Sequence, residues 1–426
     1  MNILVIGSGG REHALCWTLK KSPNCEKIFS LPGNAGIHKI APPASANISD
    51  FKSVVEFCKS ERIGLVVIGP EAPLVDGMAD FLEAKGIKVF GCSQKAAQLE
   101  GSKRFMKDIC KKYNIPTAEY ESFTSVVLAK EYIKKKGAPI VVKASGLAAG
   151  KGVVVAQTIE EAIKAVEDNF SGRFGDAGKE IVIEEFLEGE EASLFALCDG
   201  ERAILFGSAQ DHKTVGEGDT GPNTGGMGTY TPAPIVTEAI NKQVMDKIVN
   251  PTIAAMKNEG MPFKGVLFAG LMIKNGAAKL LEFNVRFGDP ETQSLMLRLE
   301  SDLVELFLAA AEGNLQNKSV KLSDKSALCV VMATKGYPEN YPKNTEIKNL
   351  SAAEKTPDSI IFHAGTKYED GKWLSTGGRV LSVCGIGDNL LKAQQIAYEA
   401  VDKIKWDEGF CRRDIGFKSI KRIKNN

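Results

Sequence analysis

The hydrophobic pattern of residues 1–101 repeats one unit: a short β-branched run, a glycine or proline turn, then a stretch of helical spacing. The runs 3–6, 27–30, 65–68 and 88–90 lack the alternation of a half-exposed strand and read as strands covered on both faces. That predicts an N-terminal α/β domain built on a doubly wound parallel sheet. Its ligand crevice should lie at the carboxyl ends of the strands.

Beyond Gly101 the spacing changes. Residues 103–112 read as a helix stopped by Asn114-Ile115-Pro116, and 140–144 with 153–156 as a hairpin whose tip is Ser145-Gly146-Leu147-Ala148-Ala149-Gly150-Lys151-Gly152. Thr158 and Glu161 suit a capping box for a helix reaching about residue 170, and a strand over 180–184 runs into Glu185-Phe186-Leu187. Seven glycines or prolines fall among polar residues in 211–231, which predicts a long loop, either disordered or functional. A helix over 238–258 and a hairpin, 265–273 with 278–283, closed over Asn275-Gly276, follow. Asp289 is then expected to N-cap a helix, with Pro290 at its first position and Glu291 in its first turn. A last α+β unit over 325–426 should hold strands 327–334, 360–366 and 379–386, the helix 390–404 and a solvated basic tail, 418–426.

A chain of 426 residues needs several hydrophobic cores. Its 54 basic and 53 acidic residues leave no excess charge to hold a nucleic acid or an anionic membrane, so any phosphate must be gripped locally. The nine cysteines are scattered and never spaced as CxxC, which argues against a disulfide framework or a zinc site and for a reducing compartment, the cytoplasm. The opening apolar run is too short for a signal peptide.

Three motifs carry candidate chemistry. Gly7-Ser8-Gly9-Gly10-Arg11-Glu12 begins like a dinucleotide fingerprint, but Glu12 replaces the third glycine and no acid follows the second strand. A simple phosphate at the helix N-terminus is the alternative. Gly146-Leu147-Ala148-Ala149-Gly150-Lys151-Gly152 is one residue too short for a Walker loop, lacks its Ser/Thr, and lies between two strands; its small residues still let backbone close on phosphate oxygens. Lys143, at the end of the apolar strand that leads in, requires an anionic partner. In Leu281-Glu282-Phe283-Asn284-Val285-Arg286, alternation places Glu282, Asn284 and Arg286 on one face. A carboxylate and an amide oxygen one pleat apart suit Mg2+, and Arg286 suits a phosphoryl group or a carboxylate.

The order of Lys103, Lys143 with its glycine loop, Glu184-Glu185-Phe186-Leu187 with Glu191, and Glu282-x-Asn284 resembles the ATP-grasp class. Several longer motifs are similar to those of the phosphoribosylamine–glycine ligase (glycinamide ribonucleotide synthetase) family. They are Gly7 to Ala14, Pro32-Gly33-Asn34, Gly69 to Leu74, Ser208 to Lys213, Gly221 to Gly228 and Phe283 to Thr292, and the resemblance spans essentially the whole chain. It implies a central ATP-grasp fold of two α+β subdomains over 102–324, the flap subdomain spanning about 118–190, between the N-terminal α/β substrate domain (1–101) and a small C-terminal α+β domain (325–426). It implies ATP as a substrate held by Lys103, Lys143, Gly146, Gly150, Lys151, Gly152, Glu184, Glu185, Phe186, Leu187 and Glu191, with Mg2+ or Mn2+ on Glu282 and Asn284. Residues Phe268-Ala269-Gly270-Leu271 lack a further metal carboxylate that many ATP-grasp enzymes carry there, which leaves the metal count open.

The implied reaction is formation of glycyl phosphate from ATP and glycine, then its capture by 5-phosphoribosylamine. Arg286, Lys143 and Lys213 are the candidate catalytic cations; Gly9, Gly10, Asn34, Glu71, Asp211, Lys213 and Arg286 are the candidate substrate contacts. Another ATP-grasp carboxylate–amine ligase or a carboxylase is the open alternative, and a nicotinamide oxidoreductase or a nucleotide-sensing protein lies further off. A monomer or weak homodimer is expected.

Overall fold

The protein is described by a computed structural model covering residues 1–148 and 152–425. Strands β1 (Asn2–Gly7), β2 (Lys27–Pro32), β3 (Ile63–Ile68) and β4 (Val89–Phe90) form a parallel sheet in the order β2-β1-β3-β4. Ile3 and Val5 enter one core while Leu4 and Ile6 enter another, which is why β1 shows no polar alternation. Each such side chain contributes roughly 2 kcal/mol by leaving water. Phe90 stacks on Phe307 of the helix Leu303–Ala311 with ring centroids 3.7 Å apart, joining this domain to the rest.

The small subdomain is a four-stranded antiparallel sheet of β5 (Tyr120–Phe123), β6 (Ile140–Ala144), β7 (Val153–Ala156) and β8 (Ile181–Glu185), ordered β5-β8-β6-β7. Ile140, Val142, Ile181 and Ile183 face the helices Val126–Lys136 and Ile159–Asp168 in a core of their own. The period of two turns Lys143 and Glu184 to the opposite face.

The large sheet begins with β9 (Glu190–Asp199) and β10 (Ala203–Asp211). It runs in the order β15 (Ala277–Asn284), β14 (Lys264–Lys274), β9, β10, β13 (Gly228–Thr231), β16 (Ser326–Thr334), Arg379–Gly387, Ser359–His363. It passes without interruption from the central region into the C-terminal one, because β13 pairs with both β10 and β16.

Four sequence expectations need correction. Residues 211–231 are not simply loop: β11 (Thr214–Gly216) and β12 (Thr220–Asn223) form a hairpin, and β13 bridges the large sheet. Asp289 does not cap the next helix, Glu291–Arg298. Pro290 holds the N-cap position, and the Asp289 carboxylate instead accepts from Gln293 Nε2 at 2.7 Å and pairs with Arg379 at 3.5 Å. The strand over 360–366 is two, Ser359–His363 in the large sheet and Thr366–Glu369 in a separate three-stranded one. The tail is a helix, Phe417–Asn425, that buries Ser419 and Ile420 rather than lying solvated.

The N- and C-terminal regions meet at two buried histidines. The His363 N–H donates to His13 Nδ1 at 2.8 Å, and Asn34 Nδ2 donates to the carbonyls of both Ser8 and His363 at 2.8 Å. Burial, with Lys39 nearby, holds His13 down at about 4 from its usual 6.5, and burial, with His13 next, holds His363 well below the ordinary range. Both are therefore neutral in the fold, and the unfolded chain binds their protons more readily. The stabilisation from neutral His13 is complete above pH 6.5 and is lost as pH falls toward 4, and His363 adds to the loss in the same direction. His13 alone should cost about 2 kcal/mol between pH 7 and pH 5. Urea unfolding at the two pH values should show this loss, and His13→Gln should reduce the slope; equal slopes for both proteins would rule the assignment out.

Candidate active site

The two sheets meet where Lys143 crosses between them. From β6, Lys143 Nζ reaches Glu184 Oε2 at 3.0 Å on β8 and the Leu281 carbonyl at 3.4 Å on β15, so it stands beside Glu282. Glu184 also pairs with Lys107 at 3.2 Å, and Lys107 Nζ donates to Thr117 Oγ1 at 2.7 Å. Lys107 and Glu184 are 0% and 2% exposed, so the carboxylate anchors two ammonium groups out of water. Sequence reasoning missed Lys107, although its place four residues after Lys103 on one helix was the available signal. Burial lowers the proton affinity of Lys103 and of Lys107. Glu282 opposes this at Lys103, and Glu184 opposes it at Lys107.

Glu184 Oε1 is buried without a hydrogen-bond partner, an acceptor left over after the lysines have taken Oε2. Next to it the chain turns through Glu185, Phe186 and Leu187, which line a groove of about 540 Å³ with Ile140 and Met272. The Glu185 carboxylate does not face Lys143. It lies on the other side of β8, paired with Lys279 at 2.8 Å and accepting from the Glu119 N–H at 3.1 Å.

Of the glycine loop, Gly150 and Lys151 lie outside the described residues. Gly146 donates its N–H to the Ala177 carbonyl at 3.2 Å, and a Cβ there would come within 2.8 Å of Ala177 Cα. Gly152 is equally tight, a Cβ falling 2.8 Å from the methyls of Ala144 and Ala148. For these two glycines close packing is itself a sufficient reason.

Glu282 is the electrostatic centre. Burial works against its charge, but Lys213, Lys103, Lys143 and Arg286 outweigh it and hold the carboxyl below its usual range. Its cross-strand partner is Gly270, where a Cβ would lie 3.3 Å from Glu282 Cγ, so the position without a carboxylate faces it directly. Among the described residues no group of three or more His, Cys, Asp or Glu side chains is placed to hold a metal by itself. Asn284 Oδ1 accepts from Arg286 at 3.2 Å. Arg286 also donates to Glu71 at 3.2 Å, Glu100 at 3.1 Å and the Phe287 carbonyl at 3.2 Å. Arg286 and Glu71, both candidate substrate contacts, are thus each other's partners. Glu100, which also accepts from the Val285 N–H at 2.8 Å, was missed.

From the loop after β10, Lys213 pairs with Glu191 at 2.6 Å, with both side chains over a third exposed. Asp211 stands near enough to Glu291 to feel its charge, and the sequence marked Glu291 only as an acid in the first turn of a helix. Burial pushes both carboxyls up; Glu291 adds to the rise at Asp211, where Lys213 opposes it, and at Glu291 a backbone hydrogen bond, Arg286 and Lys213 oppose it. Ser193 donates to Glu291 at 3.2 Å.

The N-terminal loop is more committed than expected. The Gly9 N–H donates to Glu12 Oε2 at 2.7 Å, and Arg11 pairs with the other oxygen at 2.6 Å. Glu12 fills the space over Gly7 and Gly69, where a Cβ would approach it to 2.5 Å and 2.1 Å. Gly10 packs on Gln293. Asn34 uses its whole amide internally, its Oδ1 accepting from Gly36 and Ile37 at 2.9 Å, so its side chain is a clamp between regions rather than a free ligand. Of the four N-terminal candidates, only Glu71 joins the Arg286 cluster.

Two facing sheets with lysines and a strand-borne Glu-x-Asn between them define an ATP-grasp enzyme, a class that uses ATP. The chain belongs to the phosphoribosylglycinamide synthetase family. It matches that family's N domain over residues 1–100, its ATP-grasp (A) domain over 101–292 and its C domain over 327–418. It is 53% identical to a phosphoribosylamine–glycine ligase of Agrobacterium fabrum, with 100% of each chain covered. The crystal structure of the phosphoribosylamine–glycine ligase from Thermotoga maritima superposes with a TM-score of 0.86 at 33% identity, covering 98% of this chain and 100% of that one. A biotin carboxylase from Campylobacter jejuni superposes at 0.75 with 15% identity over 100% of this chain and 96% of that one, a likeness of fold alone.

Removing one member of a buried ion group leaves the others unpaired and costs about 3 kcal/mol. Lys107→Met should therefore lower the unfolding free energy by about that amount and weaken ADP binding about tenfold as Glu184 shifts toward Lys143. Denaturant titration and calorimetry would read both; wild-type values in both would show that Lys107 does not support the site.

Proposed function

We infer that this protein joins glycine to 5-phosphoribosylamine at the expense of ATP, giving glycinamide ribonucleotide, ADP and phosphate. The carrying observation is Lys143, which links the small sheet to the strand bearing Glu282 across one cleft. A carboxylate is too poor an electrophile for an amine. One oxygen of glycine's carboxylate attacks the γ-phosphorus and the bond to the β-phosphate oxygen breaks, releasing ADP. The amine then attacks the acyl carbon of glycyl phosphate, phosphate leaves and the amine loses a proton.

Catalysis of this kind rests on positioning and on cations around the phosphoryl oxygens. Lys103, Lys143, Lys213 and Arg286 are the cations this chain supplies, clustered about Glu282. Glu184 Oε1, buried and unpartnered, fits the exocyclic amine of adenine, with Leu187 beside it for packing and Glu191 for the ribose. Mg2+ or Mn2+ fits Glu282 and Asn284 because such ions take few protein oxygens and fill the remaining positions from phosphate and water. When bound, the metal screens charge on the transferring phosphoryl group. Asp211 would receive glycine's ammonium, whose charge would offset the burial and the Glu291 charge that oppose its ionisation. Arg286 offers a planar fork to glycine's carboxylate, held in orientation by Glu71 and Glu100.

We place the protein in the cytoplasm. All nine cysteines are free, as a reducing compartment keeps them, and among the described residues no helix is long and apolar enough to cross a membrane.

Product analysis with ATP, glycine and freshly generated 5-phosphoribosylamine, omitting each in turn, tests the reaction. ADP should form at an appreciable rate only with all three present; steady release without glycine would overturn the assignment. Glu282→Gln should lower kcat at least about 100-fold, since it removes charge from the centre of the cation cluster. Arg286→Lys should raise the Michaelis constant for glycine, because lysine lacks the fork. Unchanged constants for glycine and ATP would remove Arg286 from the reaction.

A further inference from the structure

The hairpin of β11 and β12 grows from the loop that carries Asp211 and Lys213, and its tip is held by the end of the chain. Arg412 is 1% exposed, and all three guanidinium nitrogens are engaged. It donates to Asp414 Oδ1 and Oδ2 at 2.8 Å, to the carbonyl and hydroxyl of Thr214 at 3.1 Å, and to Asp219 at 3.1 Å. Around it the Gly218 N–H donates to Asp414 at 2.8 Å, the Arg413 N–H donates to Glu217 at 3.0 Å, and Lys418 pairs with Asp219. A cation this deep is retained only with full compensation, and both ends of the hairpin supply part of it.

The same segment reaches the base of the loop. The Gly416 N–H donates to His212 Nε2 at 3.0 Å, which leaves Nδ1 to donate to the Gly228 carbonyl at 3.0 Å. His212 stands between Asp211 and Lys213, and burial keeps it neutral, so this tautomer is fixed. Farther on, Ser419 meets the Tyr230 hydroxyl, which donates to Gln210; Gln210 Nε2 in turn donates to the Glu191 carbonyl at 3.1 Å, and Arg422 pairs with Glu190. Lys213's partner Glu191 is thus approached from the same side.

The geometry points to residues 412–422 as a strap that positions the substrate loop, with Arg412 and His212 as positioning residues that set where Asp211 and Lys213 stand. None of them touches the reacting atoms. Their effect runs through a loop whose displacement by about 1 Å is enough to cost on the order of 100-fold in a reaction driven by alignment. The inference rests on the ligase reading, and wild-type turnover is its control.

The experiment uses the full chain with Arg412→Ala and Lys418→Ala. Hydrogen exchange at amides 214–223 should quicken in both variants while β1 to β4 stay protected. In Arg412→Ala, kcat/KM for glycine should fall roughly tenfold or more while ADP affinity stays within about twofold, a split that general destabilisation would not produce. Lys418→Ala removes one half-exposed contact and should lose about threefold in the same ratio. Faster exchange with wild-type kcat/KM in both variants would overturn the strap, as would equal losses of glycine turnover and ADP affinity. Should Arg412→Ala fail to fold, Lys418→Ala decides: threefold loss supports the proposal and wild-type turnover ends it. Absent turnover in the wild type would count against the ligase reading, and exchange at 214–223 would then decide whether the strap orders the hairpin.

Discussion

A lysine buried in a sheet must find a counter-charge, and here that requirement ties two subdomains together. Lys143 and Lys107 share one carboxylate, Glu184, and Lys143 then extends to the strand of Glu282. Neutralising the two lysines separately would need two buried acids; sharing leaves Glu184 Oε1 as an unused acceptor. The same arrangement fixes the orientation of the small sheet, because the strand period that turns Lys143 toward the cleft turns Ile140 and Val142 to the helices.

Much of this was legible because local pattern and global placement agree. The helix Lys103–Lys112 and the strands Ile140–Ala144 and Val153–Ala156 fall at the residues that spacing predicts. The face shared by Glu282 and Arg286 follows from strand alternation, and the cluster of cations around Glu282 bears out their juxtaposition. Apolar periodicity and a motif's order suffice for such elements, since what holds them lies within a few residues or within one core.

What escaped the sequence is held by polar partners far along the chain. The hairpin in 211–231 has few apolar anchors; Arg412 and Arg379 secure it across more than a hundred residues, and no local spacing announces either. Asp289 reads as a helix cap until Arg379 claims it. Glu12 reads as a defect in a glycine motif, yet it occupies the space over Gly7 and Gly69 and takes the Gly9 N–H. Asn34, a candidate substrate contact from its place at a strand end, has its side-chain amide engaged in joining two regions, which the sequence did not announce.

Lys143, Lys213 and Arg286 are already paired, and this bears on how anions are selected. A carboxylate or phosphate approaching Arg286 competes with Glu71 and Glu100 for the same donors, and one approaching Lys213 competes with Glu191. Binding is therefore an exchange of partners, in which the gain is the difference between two charge-assisted sets rather than the whole of one. Such an exchange favours ligands that meet several cations at once, since one contact offers little over the carboxylate it displaces. Under the proposed reaction, a triphosphate and a small carboxylate bound together would meet several of these cations at once, and either alone would meet fewer.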